Sequence, residues 1–353
     1  MRIIMRNIVN QVTAAGYCVV SCVAALCCLM QIACADEVAD FYKGKTFTIV
    51  VGHEVGTGFD IYARTLARHL GRYIPGNPNV VVQNMNGASG LVSANWLYNL
   101  APKDGSVMAT FVQSVPFEPL YGNAAARFDP AKSTWIGNLE ESIGVCGVSK
   151  ASGITRFDEL LNKETILAGT GSTGPLGKAS LAVKNLLGAK IKLVTGYAGS
   201  ASVRLAIQRG EVAGICGLPM STITSFWKDD YESGNFKPII QLSGRPQPQL
   251  GGIPHVDDFA KSEEDRQVLG LIFGTLALGR LYVSTPGVPR ERTAALQAAF
   301  IATAKDPAFL EDAVKTQIDV SAMTGAEVEA FIARISSSSP RVIERARQAY
   351  RND

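Results

Sequence analysis

The segment Gly52-His53-Glu54-Val55-Gly56-Thr57-Gly58-Phe59-Asp60 joins an apolar stretch, Phe47 to Val51, to an amphipathic one that begins at Ile61. Its residue types suit the binding of an anion. Glycine lets a backbone approach a ligand closely, and the first amides of a helix have no acceptor within it. The same device recurs after other apolar stretches. Gln83-Asn84-Met85-Asn86-Gly87-Ala88-Ser89-Gly90 follows Val80 to Val82, Gly169-Thr170-Gly171-Ser172-Thr173-Gly174 follows Ile166 to Ala168, and Gly196-Tyr197-Ala198-Gly199-Ser200 follows Ile191 to Thr195. Several loops of one kind point to one shared cleft. None of them carries lysine or arginine, so within these loops a carboxylate would rely on dipoles and neutral donors.

Catalytic readings of the same residues fail one by one. Gly56-Thr57-Gly58 opens like a dinucleotide fingerprint, but Ile61 stands where the third glycine is required. The run Gly171 to Ala179 resembles a phosphate-binding loop, yet it is one residue too long and Ala179 replaces the magnesium-binding hydroxyl. Ser89 and Ser172 lack the glycines of a nucleophile elbow, with Leu91 and Thr170 in their places. His53, His69 and His255 are scattered, and no cysteine lies near them in a metal-binding pattern. The expectation is therefore no enzyme, no cofactor and no metal.

Apolar stretches alternate with amphipathic ones, which predicts strands alternating with helices and hence an α/β fold with parallel-type sheets. Tyr62, Ala63, Leu66, Ala67 and Leu70 share one helical face, with Arg64, Arg68 and His69 turned away. A strand is expected at Val107 to Val112. Trp135 to Val148 reads as one long extended segment passing between domains, and Leu276 to Ser284 as a second. Thr324-Gly325-Ala326-Glu327 forms a capping box within a helical tail. Residues 1–35 carry Arg2 and Arg6, an apolar run from Tyr17 to Ile32, and Ala33-Cys34-Ala35, and read as a cleaved secretory signal peptide. An acylated Cys22 or Cys34 is the alternative. Without that segment the formal charge falls from +3 to +1, which gives no footprint for nucleic acid. The remaining length suits two domains, and Cys146 and Cys216 are the cysteines left in it.

The ordered set Phe41-Tyr42-Lys43-Gly44-Lys45, Gly56-Thr57-Gly58-Phe59-Asp60, Asn84-Met85-Asn86-Gly87-Ala88, Pro102-Lys103-Asp104-Gly105, Trp135-Ile136-Gly137, Gly196-Tyr197-Ala198-Gly199 and Gly210-Glu211-Val212 resembles the substrate-binding receptors of tripartite tricarboxylate transporters, the Bug family. The resemblance implies a monomeric periplasmic binding protein of the two-lobed, type II-like fold. It would close on a small organic acid and deliver it to membrane permease subunits. A solute sensor docking on a signalling partner is the alternative. The lobes implied are 36–141 with 277–353, and 142–276. Carried over by position, the ligand contacts are Gly56, Thr57, Gly58 and Asp60 from the first loop, Gly171, Ser172, Thr173, Tyr197 and Ser200 from the opposite lobe, and Asn86, Gly87 and Ser114 as additions. Thr57 stands where the family usually has glycine, and Ala213 where it usually has an acid.

Each of these residues has a plainer reading. Asp60 can cap the helix, Ser172 or Thr173 can cap the one opening at Pro175, and Tyr197 can be a packing residue. Glu54 is either a solvated charge or a partner for an amine on the ligand. Cys146 and Cys216 either pair within the second lobe, where the resemblance makes their strands neighbours, or remain buried thiols.

Overall fold

The computed structural model describes residues 37–169, 175–197 and 199–351. The proposed signal segment, residues 1–35, and the loop residues Gly171, Ser172 and Thr173 lie outside the described residues. Two mixed sheets carry the fold. The first has the order β11-β4-β10-β3-β1-β2, in which β1 (Thr46–Val51) runs parallel to β2 (Asn79–Asn84) and β3 (Val107–Thr110). Antiparallel pairings join β10 (Leu281–Ser284) to β3 and β4 (Thr134–Asn138), and β11 (Met323–Thr324) to β4. The second sheet, β7-β6-β8-β5-β9, pairs β6 (Thr165–Ala168) in parallel with β7 (Ile191–Val194) and β8 (Gly214–Pro219). Here β5 (Gly144–Ser149) runs antiparallel to β8 and β9 (Phe236–Leu242). The parallel parts are those that helices connect, and the antiparallel strands are those by which the chain enters or leaves a sheet.

Helices α1 (Gly58–Leu70) and α2 (Leu91–Asn99) link the first three strands. Tyr62, Ala63, Leu66 and Leu70 of α1 are buried against a core that includes Phe47, Ile49, Phe300 and Phe309. Around the second sheet lie α3 (Pro175–Leu187), α4 (Ser200–Gln208), the short α5 (Met220–Phe226) and α6 (Lys228–Glu232), and α7 (Glu263–Gly274). The tail comprises α8 (Arg290–Lys305), α9 (Pro307–Lys315), α10 (Gly325–Ser336) and α11 (Pro340–Ala349). The capping box at the start of α10 is formed, with the Thr324 amide donating to Glu327 Oε2 at 2.7 Å and the Glu327 amide to Thr324 Oγ1 at 3.2 Å.

Trp135 to Val148 is two strands rather than one. β4 belongs to the first sheet and β5 to the second, so the passage between them is confined to residues 139–143. The return passage lies beside it. Asn138 Nδ2 donates to Glu140 O at 2.6 Å and to Ala277 O at 3.1 Å, while its Oδ1 accepts from the Arg280 amide at 2.9 Å. The two passages touch at Gly279, where a Cβ would stand 2.7 Å from Ser142 Cβ and 2.9 Å from Glu140 O.

Helix α11 touches both halves, with Arg347 Nη2 donating to Leu120 O at 3.1 Å in the first. It packs on α7 and α3. Arg345 Nη2 donates to Asp265 Oδ1 at 2.5 Å, Arg341 Nε to Glu264 Oε1 at 2.9 Å, and Asn185 Nδ2 to Ala349 O at 3.0 Å. Val342, Ala346 and Ala349 form the buried face of the helix, and Arg341 and Arg345 meet carboxylates on α7 beside it. In the second sheet Cys146 and Cys216 are register partners on β5 and β8, and their sulfurs are joined.

Candidate functional site

The first loop owes its shape to Asp60. Gly56 adopts a left-handed φ of 81°, which glycine accepts without strain, and its amide donates back to Asp60 Oδ2 at 2.9 Å. Arg64 Nε reaches both carboxylate oxygens at 3.0 Å, and Asn84 Nδ2 joins Asp60 Oδ1 to His53 O, each at 2.9 Å. Burial alone would raise the Asp60 carboxyl; the bonds from Arg64, Gly56 and Asn84 outweigh it and hold the group below the usual carboxylate range. Asp60 therefore braces the loop from inside. Thr57 supplies the N-cap position of α1, but its hydroxyl donates to Glu54 O at 2.8 Å rather than capping a helical amide. Among the described residues the amides of Gly58, Phe59 and Asp60 have no acceptor.

A cavity of about 820 Å³ opens beside this loop and is lined from both halves of the molecule. Gly56, Gly58, Ile61, Tyr62, Arg280 and the segment 316–318 form one wall. The other comes from α4 and α5 with the residue that follows, through Ser200, Arg204, Leu205, Ser221, Phe226 and Trp227. Of the residues singled out from the sequence, Gly56, Gly58 and Ser200 line it together. Thr57, Asp60, Asn86, Gly87, Ser114 and Tyr197 are not on its walls. Asn86 is exposed, with Nδ2 at 3.5 Å from Glu54 Oε1, and Glu54 itself is exposed. Gly87 has a φ of 140° and lies so near Val92 that a Cβ would meet Cγ2 at 2.7 Å. Ser114 opens a short 3₁₀ turn through its carbonyl, which accepts from Phe117 N at 3.0 Å. Tyr197 packs on the second core, against the cluster containing Ile215 and Leu218.

The charge at the cavity wall comes from outside the loops. Arg280 enters on the return passage and is held between aromatic faces, its guanidinium carbon 4.5 Å from the Phe59 ring centre and 4.6 Å from that of Tyr62. A Cβ on Gly58 would stand 3.0 Å from Arg280 Nη2, so the loop glycine makes room for the guanidinium. Glu140 Oε2 lies 3.5 Å from Arg280 Nη1, and Glu140 Oε1 accepts from Ser221 Oγ at 3.4 Å. His53 stacks on Phe59 at 4.6 Å. Burial first, and then the Arg280 charge, lower its basicity, so the ring is held neutral. The signal for Arg280 in the sequence is faint: it is the one charge within the otherwise apolar segment Leu276 to Ser284. Among the described residues no group of three or more His, Cys, Asp or Glu side chains is placed to hold a metal ion. No described helix is long and apolar enough to cross a membrane. The lining offers hydroxyls, amides, two arginines and apolar surface, a set suited to reversible binding of an organic anion.

No family model matches the chain, and no curated protein matches its sequence. Solved structures do match. A TctC solute-binding protein from Polaromonas, without ligand, superposes with a TM-score of 0.68 at 17% identity, over 86% of this chain and 99% of that one. The periplasmic binding protein BugD gives 0.61 at 19% identity over 87% and 98%. Rpa4515 of R. palustris, solved with adipate, gives 0.60 at 17% identity over 86% and 97%. The chain thus has the two-sheet α/β fold of the TctC and Bug periplasmic solute-binding proteins, and these structural neighbours are binding proteins rather than enzymes.

Proposed function

We propose that this protein is a periplasmic solute-binding receptor that captures a small organic carboxylate in the cavity between its halves and delivers it to a tripartite tricarboxylate-type permease. The observation that carries the reading is a cavity of about 820 Å³ walled by both halves, with the Arg280 cation on one side and both polar and apolar side chains, Ser200, Ser221, Leu205 and Phe226 among them, on the other. The fold supports it, since one neighbour of the same architecture is solved with a dicarboxylate. In this reading the halves act as lobes that close on the solute, residues 1–35 direct export and are removed, and the receptor works as a monomer. Closure would bring Ser200 toward Gly56 and Gly58. Titration calorimetry of the protein against a panel of mono-, di- and tricarboxylates tests it. Saturable binding of at least one acid at one site per chain is expected. Failure of every acid to bind would refute it.

A further inference from the structure

We propose that Arg280 is the charge partner of the bound acid's carboxylate, and that the facing wall selects an acid with an apolar body. This rests on the reading of the cavity as the solute site. A guanidinium presents five N–H donors in a fixed fork. Among the described residues the Arg280 side chain has one hydrogen-bond acceptor, Gly279 O, at 2.6 Å from Nη1. Its Nε is buried without a partner. The nearby Glu140 does not supply one: its Oε2 lies 3.5 Å from Nη1 and is itself buried without a hydrogen bond. That pair balances charge while leaving the donors open. The aromatic faces of Phe59 and Tyr62 fix the plane of the fork, and Gly58 leaves its Nη2 edge uncovered by a side chain. A pre-organised planar donor on a cavity wall is the geometry that receives a carboxylate through paired hydrogen bonds.

The opposite wall defines the rest of the ligand. Beside the polar Ser200, Gln208, Ser221 and Thr222 and the already bonded Arg204, that wall presents Leu205, 51% exposed, and Phe226, 60% exposed, although both are large apolar residues. Ile61 and Ile318 continue that apolar surface from the first half. A short acid covered in hydroxyls would leave this surface in contact with water, whereas a hydrocarbon or aromatic body would cover it.

Affinities of the purified protein for hexanoate, benzoate, adipate, malate and citrate test both parts. Hexanoate, benzoate or adipate is expected to bind about tenfold or more tightly than malate and citrate, and Leu205→Ser combined with Phe226→Ser should erase that preference. Arg280→Gln should weaken every acid roughly ten- to hundredfold, and Arg280→Lys less. Because Arg280→Gln alone leaves Glu140 without its counter-ion, the Glu140→Gln/Arg280→Gln pair serves as the folded control and should show the same loss. If wild type binds an acid and that pair binds it within about twofold, Arg280 is not the anchor, while the solute site stands. Tighter binding of malate or citrate overturns the apolar-body assignment. A wild-type protein that binds no acid overturns the solute site and this inference together.

Discussion

On the cavity wall formed by α4, Arg204 donates through Nε to Asp230 Oδ2 at 2.5 Å and through Nη1 to Phe226 O at 2.7 Å. On the wall formed by the return passage, the Arg280 side chain has, among the described residues, a single acceptor, Gly279 O, and a buried Nε without a partner. Both arginines line the same space, yet one ties a helix to its neighbour and the other holds open donors between two aromatic rings. A positive charge facing a cavity thus says little about recognition until its existing partners are known.

Disturbing the passage that carries Arg280 should cost the protein most. Gly279→Val places side-chain atoms where a Cβ already stands 2.7 Å from Ser142 Cβ and 3.0 Å from Ser142 N. The substitution should cost about 3 kcal/mol of stability, since neither backbone can withdraw without pulling on the Asn138 bonds. Urea unfolding measures it, and a loss below about 1 kcal/mol would mean that the passages are not tightly packed. A smaller effect sharpens the contrast between the arginines. Arg204→Gln removes two bonds, one to a carboxylate that is 15% exposed, and should lower stability by about 2 kcal/mol. It should leave acid affinity within about threefold of wild type. A variant of unchanged stability and lost affinity would exchange the roles assigned to Arg204 and Arg280.

How much of this was visible in the sequence depends on the range of the interactions involved. The junction of β1 and α1 is local, and the apolar run, the glycines and the helical face of Tyr62, Leu66 and Leu70 identify it without further context. The capping box at Thr324 is equally local. Trp135 to Val148 was harder, because two apolar strands in different sheets read as one when only five residues separate them, 139–143. Helix α11 carries no mark of its destination, since its arginines meet Glu264 and Asp265 only after the chain has folded. The site suffers most. Of the loop residues, Gly56, Gly58 and Ser200 line the cavity, whereas Asp60 turns inward because Gly56, Arg64 and Asn84 surround it. Arg280, in a different stretch of chain, supplies the cation that the loops lack.

The smallest expected effect concerns pH. His53 has its basicity lowered in the folded protein, so below its ordinary value of 6.5 the unfolded chain takes up more protons at this position than the folded one. Stability should therefore fall as the pH drops from 6.5 toward and through the lower folded value, and His53→Gln should show a shallower fall over that window. Parallel curves for the two proteins would mean that His53 titrates normally in the fold.

A crystal structure grown with the tightest-binding acid should show the acid between the two halves, a carboxylate oxygen within hydrogen-bond distance of Arg280, and its carbon body against Leu205 and Phe226. An acid bound outside this cavity, or within it with Arg280 still facing only Gly279 O and Glu140, would mean that Arg280 does not anchor the solute.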